Sequence, residues 1–195
     1  MITDDVRGAA FRRLLRTAAP ATPDQLAGDL GQPPDPVRTA IGTLRRQGLA
    51  RLDAVGRVIG AAGLSIQPDR HEIDLGGRRF WTWCAYDILG IFGALRATGQ
   101  ARSTSPDTGE PVEIHFTGGQ PEPAPLVLFV PGDDYAACCT SAYDEWCPNS
   151  NLFHTVEAAR SWAADHGVTG DVLTLPEAAE RGAARWRSLT TSQPA

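Results

Sequence analysis

The apolar pattern shifts near residue 61 from mainly helical to strand-rich, and that shift limits the fold more than any other feature. Before it, Phe11, Leu14, Leu15 and Ala18 recur at helical spacing. After it, Leu64-Ser65-Ile66 and His71-Glu72-Ile73-Asp74-Leu75 alternate apolar with polar, which is the period of a half-buried strand. A helical first third followed by a strand-rich remainder predicts the α+β class. The expected division is an N-terminal winged-helix-like helical bundle over residues 1–62 and a mixed β-sheet domain with flanking helices over residues 63–195.

The bundle is read from its punctuation. Thr22-Pro23-Asp24-Gln25 supplies a capping residue, a proline for the first helical position and an acid in the first turn. Leu26 and Leu30 then give a short helix that stops at Gly31. Asp35-Pro36 opens a third helix through Val37, Ile41 and Leu44, with Gly48 as its stop. Leu49-Ala50-Arg51-Leu52 and Arg57-Val58-Ile59-Gly60 read as a small hairpin. Three helices and a hairpin match the order of a winged helix-turn-helix, with Arg38, Arg45 and Arg46 placed to meet phosphate. The other reading is a helical cap on the catalytic part, and the modest basic content of the third helix favours it.

Beyond the change of period, Gly76-Gly77 marks a tight turn before Arg78-Arg79-Phe80-Trp81. Ala85, Ile88, Leu89, Phe92 and Leu95 keep a helical period, with Gly90 and Gly93 suggesting close packing. Ala101 to Thr108 reads as a polar loop, Val112 to Phe116 and Leu126 to Val130 as strands, and Val156 to His166 as a helix stopped by Gly167. A short strand over Val172 to Leu175, a helix from Pro176 and a frayed tail from Ser188 complete the expectation.

The chain has 195 residues and a formal net charge of −5, and all 18 of its basic residues are arginine. That balance argues against nonspecific nucleic-acid binding as its main task. No apolar run approaches the about 20 residues that cross a bilayer, and the first five residues do not read as a signal peptide. A cytoplasmic location with no membrane partner is the expectation. In that compartment the four cysteines are reduced, so they are reactive, metal-binding or buried rather than a disulfide framework.

Cys84 and Asp87 stand three residues apart at a helix start, which puts sulfur and carboxylate on one face. Cys84 can be read as a small buried hydrophobe. It can equally be a thiolate nucleophile or soft-metal ligand, its pKa lowered by the helix N-terminus. Asp87 can simply satisfy free backbone N–H groups, or it can carry a proton, with Tyr86, Ile88 and Leu89 desolvating it and raising its pKa. Cys147 lies in a loop, between Trp146 and Pro148-Asn149-Ser150-Asn151. Cys138 and Cys139 are adjacent, so at least one of them is structural. There is no Cys-x-x-Cys with a matching second pair, and His115, His154 and His166 show no ligand spacing, so zinc is disfavoured.

The stretch Phe80-Trp81-Thr82-Trp83-Cys84-Ala85-Tyr86-Asp87 resembles the alkylmercury lyases, the organomercurial lyase family of bacterial mercury resistance. The likeness takes in Glu72-Ile73-Asp74, Gly77-Arg78-Arg79, Ala101-Arg102, Thr108-Gly109-Glu110-Pro111-Val112 and the helix from Val156 to Ala163, covering residues 64 to about 187. It implies a catalytic trio of Cys84, Asp87 and Cys147, the last chosen because it stands six residues before Phe153. Two departures are visible. Pro148 to Asn151 replaces a cysteine and histidine-containing stretch of many members, and Ser105 stands near the place of a structural cysteine.

The resemblance implies carbon–mercury protonolysis of a small organomercurial, giving a hydrocarbon and Hg(II) held by Cys84 and Cys147 with Asp87 beside them. Thiolates suit so soft an ion. No cofactor is expected; external thiols would release the metal, and a mercuric reductase would accept it. Trp81, Trp83 and Trp146 are candidates for an apolar wall against the organic group. Two alternatives stand beside this reading: an enzyme of the same fold with another substrate or soft metal, and a metal-responsive DNA-binding regulator. Retention of an acid beside the two thiols favours the lyase, since a sensor needs no proton donor.

Overall fold

The structure is a computed structural model and describes residues 2–190. Helix α1 (Ile2–Thr17) carries Asp4 and Asp5 in its first turn, where the helix dipole favours them, and buries Val6, Ala10, Phe11 and Leu14 along one stripe. Helix α2 (Pro23–Leu30) begins with a full capping box: Gln25 N–H donates to the Thr22 hydroxyl, and Thr22 N–H donates to the Gln25 side chain. Helix α3 (Pro34–Arg46) starts one residue earlier than the sequence suggests and buries Val37, Ala40, Ile41 and Leu44. Strands β1 (Ala50–Leu52) and β2 (Val58–Ala61) form the hairpin. On α3, Arg38 is engaged by the carboxylates of Asp24 and Asp35.

The chain then runs through β3 (Leu64–Ser65), β4 (His71–Leu75), β5 (Arg78–Thr82), α4 (Ala85–Leu95), β6 (Gly99–Thr104), β7 (Pro111–Thr117) and β8 (Gln120–Pro121). It continues with β9 (Val127–Pro131), α5 (Asp133–Cys138), a π-helical turn (Ala142–Trp146), a 3-10 turn (Cys147–Asn149), β10 (Asn151–Phe153), α6 (Val156–Asp165), β11 (Gly170–Thr174) and α7 (Leu175–Thr190). Eight strands form one sheet in the order β1-β2-β3-β5-β4-β6-β7-β8, and three form a second in the order β10-β9-β11.

The expected mixed sheet is therefore corrected: there are two sheets, and every pairing in them is antiparallel. The reason lies in the connections. Tight turns such as Gly76-Gly77 and Gly118-Gly119, all at positive φ, return the chain alongside itself, whereas a parallel neighbour needs a long crossover. The first half of the polar loop expected from Ala101 to Thr108, up to Thr104, belongs to strand β6, which pairs with β4 on one side and β7 on the other. Propensity is overridden there by a full ladder to β7 and a ladder to β4 over Gly99–Arg102. The loop expected over Tyr143 to Asn151 is instead mostly the π-helical and 3-10 turns, and its last residue opens β10 on the edge of the second sheet. Ser188 to Thr190 are helical rather than frayed, and the rest of that expected tail lies outside the described residues.

The eight-stranded sheet runs across residue 62, since β2 pairs with β3 through Gly60↔Ser65 and Ala61↔Leu64. One buried cluster accordingly joins Val6, Phe11 and Leu44 to Leu64, Ile88, Phe92 and Trp186. Helix α4 lies at its centre, with Ala85 through Phe92 all buried. Complete burial of a side chain such as Ile88 or Leu89 contributes about 1.5–3 kcal/mol. Helix α7 crosses α4 where both have glycine: a Cβ on Gly182 would fall 2.7 Å from the Gly90 Cα, and one on Gly90 would fall 2.5 Å from the Trp186 ring. The close packing that the α4 glycines suggest is thus present, and it presses α7 against the helix that starts at Cys84. No helix among the described residues is long and apolar enough to cross a membrane.

Candidate active site

Strand β5 ends at Thr82, and the chain turns into α4 through Trp83 and Cys84. Three bonds fix that turn: Trp83 N–H donates to Gly63 O at 3.1 Å, the Thr82 hydroxyl donates to Cys84 O at 3.1 Å, and Arg70 donates to Trp83 O at 3.0 Å. Cys84 is the N-cap of α4 in extended conformation, and Asp87, the third helical residue, accepts the Cys84 N–H at 3.0 Å. The spacing of three thus places both groups at the helix start, as the sequence implies.

Cys147 arrives from the other side. It opens the 3-10 turn, and Ser150 N–H closes that turn on Cys147 O at 3.2 Å. Ser150 O in turn accepts the Ala85 N–H at 3.1 Å. One of the free N–H groups at the start of α4 is therefore satisfied by the segment that bears the second thiol. As a result, one donor atom from each of Cys84, Asp87 and Cys147 lies within 4.8 Å of the others, and all three residues are buried. Among the described residues no other trio of Cys, His, Asp or Glu is gathered in this way.

The turn Ala62-Gly63 forms one wall. Both residues have positive φ (51° and 86°), as a two-residue hairpin between β2 and β3 requires. A Cβ at Gly63 would sit 2.3 Å from the Asp87 carboxyl carbon, so only glycine leaves room for the acid. Behind the turn, Trp186 Nε1 donates to Ala62 O at 2.9 Å. Aromatic rings adjoin the site: Tyr86 lies 5.6 Å from Trp186 and 6.2 Å from Trp146, centroid to centroid. Trp83 is buried and packs edge-on against Tyr143. Trp81 departs from the expected wall. It points to the opposite face of β5 from buried Phe80 and Thr82, as strand alternation demands.

Burial dominates the electrostatics. It raises the Asp87 pKa from 3.8 to about 6, against the lowering effect of hydrogen bonds from Cys84 and of the Arg185 charge. The desolvation and raised pKa expected of Asp87 are therefore present. The expected low thiol pKa is overturned. Burial pushes Cys84 well above its ordinary value, and the neighbouring Cys147 and Asp87 push it further. The favourable field of a helix N-terminus is outweighed once the sulfur leaves water.

Cys138 and Cys139 are not part of this cluster. They end α5, where Cys138 is exposed and the Cys139 thiol donates to Tyr135 O at 3.3 Å. All four cysteines are unpaired. Ser105 is buried, with its hydroxyl 2.6 Å from the Asp107 carboxylate and 3.0 Å from Leu152 O, tying the end of β6 to β10. The sequence reading assigns no site role to Gly63 or Ser150, and it gives Tyr86 only the desolvation of Asp87, not the aromatic contact with Trp146 and Trp186. A glycine before a strand was the one visible signal for the first.

Chemically, the cluster offers two soft sulfur donors and one carboxyl whose proton is exchangeable near neutral pH. In general chemistry, two thiols can bind a soft ion, and a carboxyl of this kind can give a proton to a group attached to that ion.

Known proteins share this architecture. The alkylmercury lyase family (MerB) matches residues 64–186. An alkylmercury lyase from Streptomyces lividans is 32% identical over 92% of this chain and 81% of its own length. One from Staphylococcus epidermidis is 29% identical over 88% of the chain and 79% of its own length. A solved structure, the mercury-bound form of MerB2, superposes with a TM-score of 0.80 over 97% of this chain and 98% of that one, at 24% identity.

Proposed function

Because the chain belongs to the alkylmercury lyase family, a family of enzymes, we propose that it cleaves the carbon–mercury bond of organomercurials by protonolysis, with Cys84, Cys147 and Asp87 as the reacting groups. The observation that carries this reading is the approach of their three donor atoms to within 4.8 Å inside the core. The substrate is an organomercurial cation with a displaceable ligand. One thiol loses its proton and bonds to mercury as that ligand departs. The second thiol gives its proton to Asp87 and bonds to the same mercury. Asp87 then delivers this proton to the carbon, the carbon–mercury bond breaks, and the hydrocarbon leaves. Mercury(II) remains on two sulfurs. Two thiol protons enter; one departs with the displaced ligand and one with the hydrocarbon.

The raised pKa values support this order of events. A buried thiol resists ionising by itself, so the incoming soft cation has to draw the proton off, and metal binding to thiols releases protons in this way. Asp87, ionised above about pH 6, is a ready acceptor for it. Tyr86, Trp83 and Trp146 offer apolar contact for the organic group. No cofactor enters the scheme. External thiols, and a mercuric reductase as acceptor, would remove the metal. Free thiols at the site suit the reducing cytoplasm. Residues 1–62 serve as a winged-helix-like cap on the catalytic part.

The test is incubation of the protein with phenylmercury or methylmercury and excess thiol, followed by measurement of benzene or methane. Hydrocarbon release that disappears in Cys84→Ala and in Cys147→Ala is expected. No hydrocarbon from the unaltered protein would refute the reading.

A further inference from the structure

We propose that Tyr143 is a positioning residue for the second thiol: its ring, clasped between Arg51 and Arg70, sets where Cys147 stands relative to Cys84. The inference rests on the reading of Cys84 and Cys147 as a mercury-binding pair.

Cys147 emerges from a π-helical turn, Ala142–Trp146, none of whose residues is buried. Such turns are rare. Its Tyr143 and Trp146 pack half-buried against the core, and contacts to the N-terminal third of the chain add to their hold. Ala142 N–H donates to Gln47 O at 2.9 Å. The backbone there passes so close to Gly48 that a Cβ would lie 2.6 Å from Tyr143 N and 2.4 Å from Ser141 Oγ. Two guanidinium groups lie over the Tyr143 ring, that of Arg51 at 4.6 Å and that of Arg70 at 4.7 Å from its centroid. Trp83 meets the ring edge-on at 5.4 Å. Arg51 pairs with the nearly buried Asp69 carboxylate, towards which the Tyr143 hydroxyl also points.

Arg70 gives the clasp its meaning. One of its nitrogens donates to Trp83 O, the residue before Cys84, while its carbon lies over Tyr143, four residues before Cys147. A single guanidinium therefore touches the chain beside each thiol. Cation–π contacts of this kind need the ring face and tolerate loss of the hydroxyl. Residues 45–51 and 69–70, which contribute no reacting group, thereby govern the separation of the two sulfurs.

The experiment compares Tyr143→Phe, Tyr143→Leu and Cys147→Ala, with Tyr143→Leu also made in the Cys147→Ala background. The probe is mercuric ion, and the readout is its retention against a competing small thiol; kcat with phenylmercury is measured beside it. Tyr143→Phe is expected within threefold of the unaltered protein. Tyr143→Leu keeps apolar volume but offers no π face, and is expected to lose at least tenfold in retention and in kcat. In the Cys147→Ala background it should cost nothing further, because the thiol it positions is gone; a merely structural role would still be felt there. Retention by Tyr143→Leu equal to that of the unaltered protein overturns the proposal. So does equal loss in Phe and Leu, or a full further loss in the double variant. Retention by both thiols without hydrocarbon release would refute the lyase reading and leave the clasp standing.

Discussion

The two halves of the site are built on opposite plans. Cys84 and Asp87 sit where β5 enters α4, on the most buried helix of the molecule, with their backbone fixed by Gly63, Arg70 and Thr82. Cys147 sits at the end of a segment, residues 133–146, in which α5 and the π turn bury no side chain. That segment is held by polar and stacking contacts: Tyr143 in its clasp, Thr140 on Glu145, and Asn149 on Tyr135. Segments with few buried apolar contacts open at lower free energy than the core. The acid and the first thiol thus stand in the most buried frame, while the second thiol, itself buried, follows a less buried segment that is expected to open more readily. Since all three groups are buried, an incoming organomercurial needs such a yielding part to reach them.

The comparison can be tested by graded changes. Cys84→Ala or Cys147→Ala, one from each half, should each reduce hydrocarbon release to background, a loss on the order of a thousandfold or more. A residual rate in one of them would show that the halves are unequal in chemistry as well as in construction. Asp87→Asn should keep mercuric ion binding and slow carbon–mercury cleavage by about 10²–10⁴-fold, the usual range for a lost proton carrier. Gly63→Ala presses on the Asp87 carboxyl from the frame side. It should slow turnover by about a hundredfold and cost about 1–3 kcal/mol of stability for the strained turn, read by denaturant unfolding.

Three smaller effects follow. The folded-state pKa of Asp87 is raised, so protonated Asp87 favours the fold below pH 3.8 and that contribution is lost as pH rises through about 6. Asp87→Asn should therefore raise the melting temperature at pH 8 and leave it nearly unchanged at pH 4, an effect of up to about 3 kcal/mol at 1.36 kcal/mol per pKa unit. In the active protein the same group should give kcat/KM an acid limb rising through about pH 6. Cys138→Ala, on an exposed position of the yielding segment, should leave turnover within about twofold when external thiol is plentiful.

Legibility in the sequence follows the same division. Helices α1 to α3, the first hairpin, β4, β5 and α4 carry strong periods and clear stops, so their existence was readable, and Cys84 and Asp87 with them. The second half announced little. Cys147 has Trp on one side and Pro on the other, and a π turn has no period to recognise. Only resemblance pointed to it. Strand β6 was misread because polar residues such as Arg102 and Thr104 face solvent between two partner strands, and pairing with β4 and β7 is a long-range property. The Cys84 thiol was misread because a helix start can be seen in the sequence, whereas complete burial of its sulfur cannot.

The bond from Ala85 N–H to Ser150 O joins points far apart along the polypeptide. During synthesis, residue 84 leaves the ribosome long before residue 150 has been made, and for that interval its sulfur has no companion. On the proposed reading the thiol pair is complete only after residue 147 has been made, so a chain truncated before the second sheet should carry Cys84 alone and lose the retention of mercuric ion expected of the pair.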